Sequence, residues 1–396
     1  MSTRNQAERN QAAAGADGWR AERRAALAEA RCIVVKVGSA VLTTGEGLDL
    51  VMVESLADQL SALQEGGRRV VLVSSGAVAA GRGVLRSRCE ISGMPHRQAA
   101  SAIGQSRLMH YYDEAFARRG RISAQVLLTR DDLKSRNRFL NARNTFGALL
   151  DWGAIPVVNE NDTVAVHDLK FGDNDCLASL LLNIVEADLF VNLTSAGGVF
   201  AENPQDNPDA CVMDCIDDVH GLDLDGLCGG KTSVGTGGMY SKLLSARRAA
   251  QIGVPTLIVP GHEPGVLARV FAGEEIGTWV RADAKTVSRR KYWLAYQSDP
   301  AGTVTVDEGA ARALLQGGKS LLPGGVCAVE GGFGSGALVR VAAQDGTVIG
   351  VGLSNYAAAE LKRIMGHKRH EVAAILGDAH YPEVIHRDNL LLDAVV

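Results

Sequence analysis

A chain of 396 residues exceeds one ordinary domain and points to two or three. With 46% hydrophobic residues, 22% charged residues and a net charge of −4, it has apolar mass for a sizeable core and lacks the basic balance of a protein that coats nucleic acid. Seven scattered cysteines, of which the closest pair (Cys211 and Cys215) lacks zinc-type spacing, exclude a disulfide scaffold and fit free thiols in a reducing cytoplasm; no run of about 18 apolar residues exists to span a membrane.

Residues 1–30 are rich in Ala, Arg and Glu. Glu8, Asp17, Glu22 and Glu29 and the lack of an apolar h-region argue against a targeting peptide. The segment reads as an N-terminal extension, a disordered lead into a short helix near Trp19–Ala30.

From Arg31 onward, short β-branched runs alternate with helix-length segments. Cys32–Val37, Arg69–Val73, Ile122–Leu128, Ile155–Asn159, Leu189–Leu193 and Thr256–Pro260 read as buried strands. Val51–Gln64, Arg97–Arg119, Asn137–Trp152, Asp175–Glu186 and Met239–Ile252 read as helices. Such alternation predicts an α/β domain over 31–281, with an open, mainly parallel sheet sandwiched by helices. A polar, basic linker is expected over 282–298. Beyond it, Gly302–Val306, Val326–Val329, Ala337–Val341 and Val348–Leu353 read as short strands separated by Gly-rich turns, with helices at Glu308–Gln316 and Asn355–Ile364. They predict a small β-barrel domain over 299–396.

Five stretches could carry chemistry. Lys36-Val37-Gly38-Ser39 ends the first strand, where open α/β sheets bind ligands; the ammonium could neutralise a phosphate that glycine lets approach. A plain strand-end lysine is the alternative. Ser74-Ser75-Gly76-Ala77 joins the second strand to a helix of small residues, presenting amides and hydroxyls to a carboxylate or phosphate, unless Ser75 is simply an N-cap. Asn159-Glu160-Asn161-Asp162 and Gly172-Asp173-Asn174-Asp175 bring carboxylates and amides to one sheet edge, where they could hold an amino group, orient lysines or bind magnesium. Gly235-Thr236-Gly237-Gly238-Met239-Tyr240-Ser241-Lys242 could cradle phosphates, with Lys242 reaching the transferring group, or be a mobile loop ending at a helix-start lysine. Its spacing is not that of a Walker A loop. His367-Lys368-Arg369-His370 reads as a solvated basic turn.

In combination, VVKVGSAVLT from Val34, SSGAVAAGR from Ser74, FLNARNT from Phe139, VVNENDTVA from Val157, FGDNDCLAS from Phe171 and GTGGMYSK from Gly235 resemble the glutamate 5-kinases, a branch of the amino acid kinase family. TVDEGAARALLQGGKSLLPGGV from Thr305 resembles the start of a PUA domain, a small barrel also found in RNA-modifying enzymes.

The resemblance implies the amino acid kinase fold and transfer of phosphate from ATP, with Mg2+, to the side-chain carboxylate of L-glutamate. It implies that Lys36 and Lys242 contact the phosphates, that Asp175 holds the two lysines, and that Ser75, Asp162 and Asn174 bind glutamate. Thr194, Ser195, Thr236, Gly237, Gly238, Met239, Tyr240, Ser241 and Lys242 would line the nucleotide. It further implies a cytoplasmic enzyme of proline biosynthesis, homo-oligomeric as dimer or tetramer, inhibited by proline, and able to hand its labile product to glutamyl phosphate reductase. One departure stands out. Where the family reads Leu-Thr-Asp-x-x-Gly-Leu-Tyr, this chain reads Leu193-Thr194-Ser195-Ala196-Gly197-Gly198-Val199-Phe200. A carboxylate beside the nucleotide is replaced by a hydroxyl and a glycine is added, which predicts weaker or altered nucleotide binding and a looser turn. The alternative reading is an amino-acid-sensing regulator with weak or no kinase activity that binds RNA through its PUA domain; a related kinase acting on another acid is a third.

Overall fold

The computed structural model describes residues 18–45, 47–86, 91–165, 173–204, 206–207, 209–228, 238–284, 286, 288, 292, 300–377 and 381–392. The chain divides into two compact units, Met1–Thr286 and Val287–Val396. The expected linker at 282–298 falls largely outside the described residues.

In the first unit the elements follow in order: α1 (18–29), β1 (Cys32–Val37), α2 (Ser39–Leu42), β2 (Thr43–Thr44), β3 (Gly47–Leu48), α3 (Leu50–Glu65), β4 (Arg69–Ser74), α4 (Ala77–Leu85), α5 (Gly93–Ala117), β5 (Ile122–Leu128), α6 (Arg130–Lys134), α7 (Arg136–Asp151), β6 (Ala154–Glu160), α8 (Asp173–Ile184), β7 (Leu189–Thr194), β8 (Cys215–Ile216), α9 (Leu224–Leu227), α10 (Met239–Gln251), β9 (Thr256–Pro260), α11 (Val266–Phe271) and β10 (Thr278–Val280). Eight strands form one sheet in the order β5-β6-β4-β1-β7-β9-β10-β8, in which every pair is parallel except β9 with β10. The central strands β1 and β7 are buried at every residue. Both their faces are therefore covered, which is why they read as continuous apolar runs instead of alternating ones.

The chain runs first to one side of β1, through β4, β5 and β6, and then returns to its other side at β7. That reversal opens a crevice beyond the carboxyl ends of β1, β4, β6 and β7, where open α/β sheets take their ligands.

Residues 33, 35 and 37 of β1 share a core cluster with Leu56 and Leu60 of α3, Leu108 and Tyr112 of α5, and Val266 and Val270 of α11. Lys36 is in the opposite phase of the strand and so faces away from that cluster, toward α8. α3 starts where Asp49 Oδ1 accepts a hydrogen bond from Met52 N at 3.1 Å. α4 and α5 approach backbone to backbone. A Cβ added at Gly104 would lie 1.8 Å from Ala77 O, and one at Gly81 would lie 1.8 Å from Ala100 O. Only glycine permits that crossing.

The helix expected near Trp19–Ala30 spans 18–29, and it docks on the domain instead of trailing from it. Trp19 and Leu27 join the core cluster, and Arg23, 3% exposed, donates from Nη2 to the carbonyls of Glu274 and Ile276 at 2.8 and 3.1 Å. Positions 19, 23 and 27 form one helical stripe, a spacing of four that a composition-based reading overlooks.

The second unit contains β11 (Gly302–Val306), α12 (Glu308–Gly317), β12 (Val326–Gly331), β13 (Leu338–Ala343), β14 (Val348–Leu353), α13 (Ala358–Ile364), α14 (Arg369–Leu376) and β15 (Leu390–Leu392). Its five strands order as β12-β11-β13-β14-β15, antiparallel except for β11 with β13. α12 begins at Asp307, whose Oδ1 accepts from Ala310 N at 2.6 Å, and packs Leu314 beside Val304, Val306 and Leu361. Among the described residues, no helix is long and apolar enough to cross a membrane.

Candidate active site

A cavity of about 390 Å³ lies at the crevice. Its wall includes Lys36 at the end of β1, Ser75 after β4, Asp162 after β6, Asn174 and Asp175 at the start of α8, Thr194 and Ser195 at the end of β7, and Lys242 in the first turn of α10. Sequence spacing therefore brings together eight of the nominated residues on a single surface. Six others lie off that wall or beyond the described residues. Gly238 is the N-cap of α10, Met239 and Tyr240 pack against the apolar cluster around Leu243 and Ile258, and Ser241 sits behind the wall. Thr236 and Gly237 lie outside the described residues, as do Phe171 and Gly172.

At the cavity floor Asp175 is wholly buried between two cations. Its Oδ1 lies 2.6 Å from Lys36 Nζ and its Oδ2 lies 3.5 Å from Lys242 Nζ. Ser241 Oγ donates to Oδ2 at 2.6 Å, and Asn192 Nδ2 donates to Oδ1 at 3.2 Å. Burial alone would push this carboxyl upward; the two ammonium groups and the Ser241 hydroxyl outweigh it and hold Asp175 below the usual carboxylate range. Lys242 is pushed down to about 8, by burial first, with Lys36 adding to the fall and Asp175 opposing it. Two ammonium groups held apart by a single carboxylate carry one net positive charge, a device suited to receiving further anions.

A chain of amides also meets the cavity. Asn174 Nδ2 donates to Ser75 Oγ at 2.8 Å and to Asn159 Oδ1 at 2.9 Å, and Asn159 Nδ2 donates to Gln105 Oε1 at 2.8 Å. Among the described residues Asn174 Oδ1 is buried without a hydrogen-bond partner. Gly76 takes the left-handed conformation at φ 107° that turns the chain from β4 into α4 and exposes Ser75 to the cavity. Ser101 Oγ on α5 donates to Asp162 Oδ2. Burial raises the Asp162 carboxyl despite that bond and the nearby Arg97 charge.

The turn after β7 is fixed at the glycine that the family shares. Gly198 sits where an added Cβ would lie 2.6 Å from Val212 Cγ1 and 2.8 Å from Thr278 Oγ1, and Val199 N donates to Thr278 Oγ1 at 2.8 Å. Gly198, the glycine the family shares, serves a close approach to β10 and the segment before β8; at the added Gly197 a Cβ would lie 3.6 Å from Val212 Cγ2, an ordinary contact. Ser195 stands exposed on the cavity wall.

Several wall or support residues escape sequence reasoning. Asn192 is a fully buried amide inside the apolar run of β7. Such a residue must find a partner, and that is the signal that could have marked it. Ser101 and Arg97 carry no local signal, because they meet the site only through the crossing of α4 and α5.

Comparison with known proteins adds the following. The model of the amino acid kinase family matches residues 31–260, and that of the PUA domain matches residues 302–376. The chain is 76% identical to the glutamate 5-kinase of Nitratidesulfovibrio vulgaris strain DP4 over 96% of its own length and 100% of the relative's. It is 68% identical to that of Oleidesulfovibrio alaskensis, over 96% and 100%, and 49% identical to that of Geobacter sulfurreducens, over 92% and 98%.

Proposed function

The chain belongs to the amino acid kinase family, and on that premise we propose that it is an ATP-dependent glutamate 5-kinase, which phosphorylates the side-chain carboxylate of L-glutamate to give glutamyl 5-phosphate for proline biosynthesis. The observation that carries the reading is the Lys36–Asp175–Lys242 bridge in a cavity that Ser75, Asn174 and Asp162 also line.

A glutamate side chain ionises with a pKa of about 4.3, so at neutral pH the nucleophile is already formed and no general base is required. The site's work is to hold two anions in line and to spread the charge of a loose phosphoryl transition state. Lys36 and Lys242 meet that charge, and Asp175 fixes both. Ser75, Asn174 and Asp162 hold glutamate. Thr194, Ser195 and the segment Thr236–Lys242 take the nucleotide.

Mg2+ enters with the nucleotide. Asp175 is engaged by two lysines, and among the described residues no group of three or more His, Cys, Asp or Glu side chains converges. Bound with the nucleotide, Mg2+ would be held mainly by phosphate oxygens, as is usual at kinase sites, and would supply charge neutralisation there.

A cytoplasmic location, homo-oligomeric assembly, feedback by proline and transfer of the acyl phosphate to glutamyl phosphate reductase belong to the same reading. RNA binding through the PUA domain is compatible with catalysis. The purely regulatory alternative is disfavoured by the intact lysine bridge. A substrate panel tests the assignment: hydroxylamine trapping yields hydroxamate from glutamate at rates well above those from aspartate or N-acetylglutamate. Preferential trapping from either of the latter would reassign the substrate.

A further inference from the structure

On the glutamate reading, in which Asp162 takes the substrate's α-ammonium, we propose that Arg97 completes a clamp for the α-amino-acid head by taking the α-carboxylate, with Ser101 pinning Asp162 in place. The proposal deepens the glutamate reading and rests on it.

Arg97 and Ser101 are four residues apart on α5 and so share one face of the helix, a single turn from each other. Ser101 Oγ bonds Asp162 Oδ2, which places Arg97 beside the same carboxylate. A second bond, from Gln98 Nε2 to Ala165 O at 3.3 Å, fastens this stretch of α5 to the loop that carries Asp162. Arg97 and Asp162 both line the cavity. The Asp162 carboxyl feels the Arg97 charge, and among the described residues Arg97 Nε is buried without a hydrogen-bond partner. A buried guanidinium nitrogen without an acceptor is costly unless a ligand supplies one. Asp162 accepts from Ser101 through Oδ2, and the residue itself lines the cavity.

An adjacent carboxylate and guanidinium are the charge complement of an amino-acid zwitterion. Glutamate presents three ionised groups. Its side-chain carboxylate is drawn to the lysine bridge, which leaves an ammonium and a carboxylate to be matched at the other end. The guanidinium fork suits the carboxylate, and the carboxylate acceptor suits the ammonium.

The test compares binding of L-glutamate, 4-aminobutyrate (the same molecule without the α-carboxylate) and glutarate (without the amino group), by calorimetry on the full chain. Arg97→Ala should weaken glutamate by about 10- to 100-fold while changing 4-aminobutyrate less than about threefold. Ser101→Ala should weaken glutamate and 4-aminobutyrate together and leave glutarate unmoved, with Ser101→Thr restoring both. Arg82→Ala, which alters the other arginine on the cavity wall, should leave the ratio between glutamate and 4-aminobutyrate as in the wild type. Equal weakening of all three ligands by Arg97→Ala overturns the clamp, as does collapse of the ratio in Arg82→Ala instead. Hydroxamate trapping on the wild type separates the two levels: turnover with unmoved ratios refutes only the clamp, whereas no turnover refutes the kinase reading beneath it.

Discussion

Lys36 Nζ lies 2.6 Å from Asp175 Oδ1 at a point where the two side chains are 3% and 0% exposed. A charge so fully removed from water needs its partner, and here one carboxylate serves two lysines. Removing Asp175 would leave two like charges sealed beside each other. We expect Asp175→Asn to cost about 3–5 kcal/mol of stability, the usual penalty for orphaning a buried ion, and to reduce kcat/KM by at least about 100-fold. Denaturant titration and hydroxamate trapping check the pair; a folded variant of wild-type activity would show that Asp175 does not organise the lysines.

Lys242 titrates near 8 in place of its ordinary 10.5. Only its protonated form can neutralise phosphate, so kcat/KM for MgATP should fall as pH rises through about 8. Stability should respond with the opposite sign. Between about 8 and 10.5 the unfolded chain holds a proton on this lysine that the folded chain has lost, so this group's contribution to stability rises with pH. A flat kcat/KM profile between pH 7 and 9.5 would contradict the account.

Ser195 stands where the family carries a carboxylate. Ser195→Asp should restore a charge-assisted contact worth about 1.5–3 kcal/mol and lower KM for one purine nucleotide by roughly tenfold or more. Comparing ATP with GTP decides which purine profits. If neither KM moves, the departure at this turn has no bearing on nucleotide choice.

The crossing of α4 and α5 carries Ser75, Gly76 and Arg82 on one side and Arg97, Ser101 and Gln105 on the other. Gly104→Ala drives a methyl into Ala77 O and should destabilise by about 1–3 kcal/mol or more, with loss of glutamate affinity. Gly147→Ala, in α7 with open space at the same test, should be neutral or stabilising by up to about 1 kcal/mol. Thermal melts of the two variants provide the comparison, and similar melts would contradict a tight crossing.

What the sequence reveals of this molecule follows from what it buries. Cys32–Val37 and Thr256–Pro260 match the expected buried strands residue for residue, because parallel strands between two helical layers are written as apolar runs; Ile122–Leu128 matches in extent, but as the edge strand it has no buried residue, against the burial expected of it. Thr278–Val280 and Cys215–Ile216, of three and two residues, are too short to show any period. At the site, Lys36, Ser75, Asp162 and Asp175 were legible because each ends a strand or opens a helix at the same sheet edge. Ser101 was not, since its bond to Asp162 spans 61 positions and depends on a helix crossing that no local pattern encodes. The docking of α1 was hidden for a similar reason: Trp19 finds its partners only in the folded sheet.

The most direct measurement is glutamate-dependent ADP release with hydroxylamine present, run on the wild type and on Lys242→Ala. The account predicts hydroxamate and ADP in equal amounts from the wild type and neither from the variant. ADP without hydroxamate, or equal yields from both proteins, would contradict a lysine-bridged glutamate kinase.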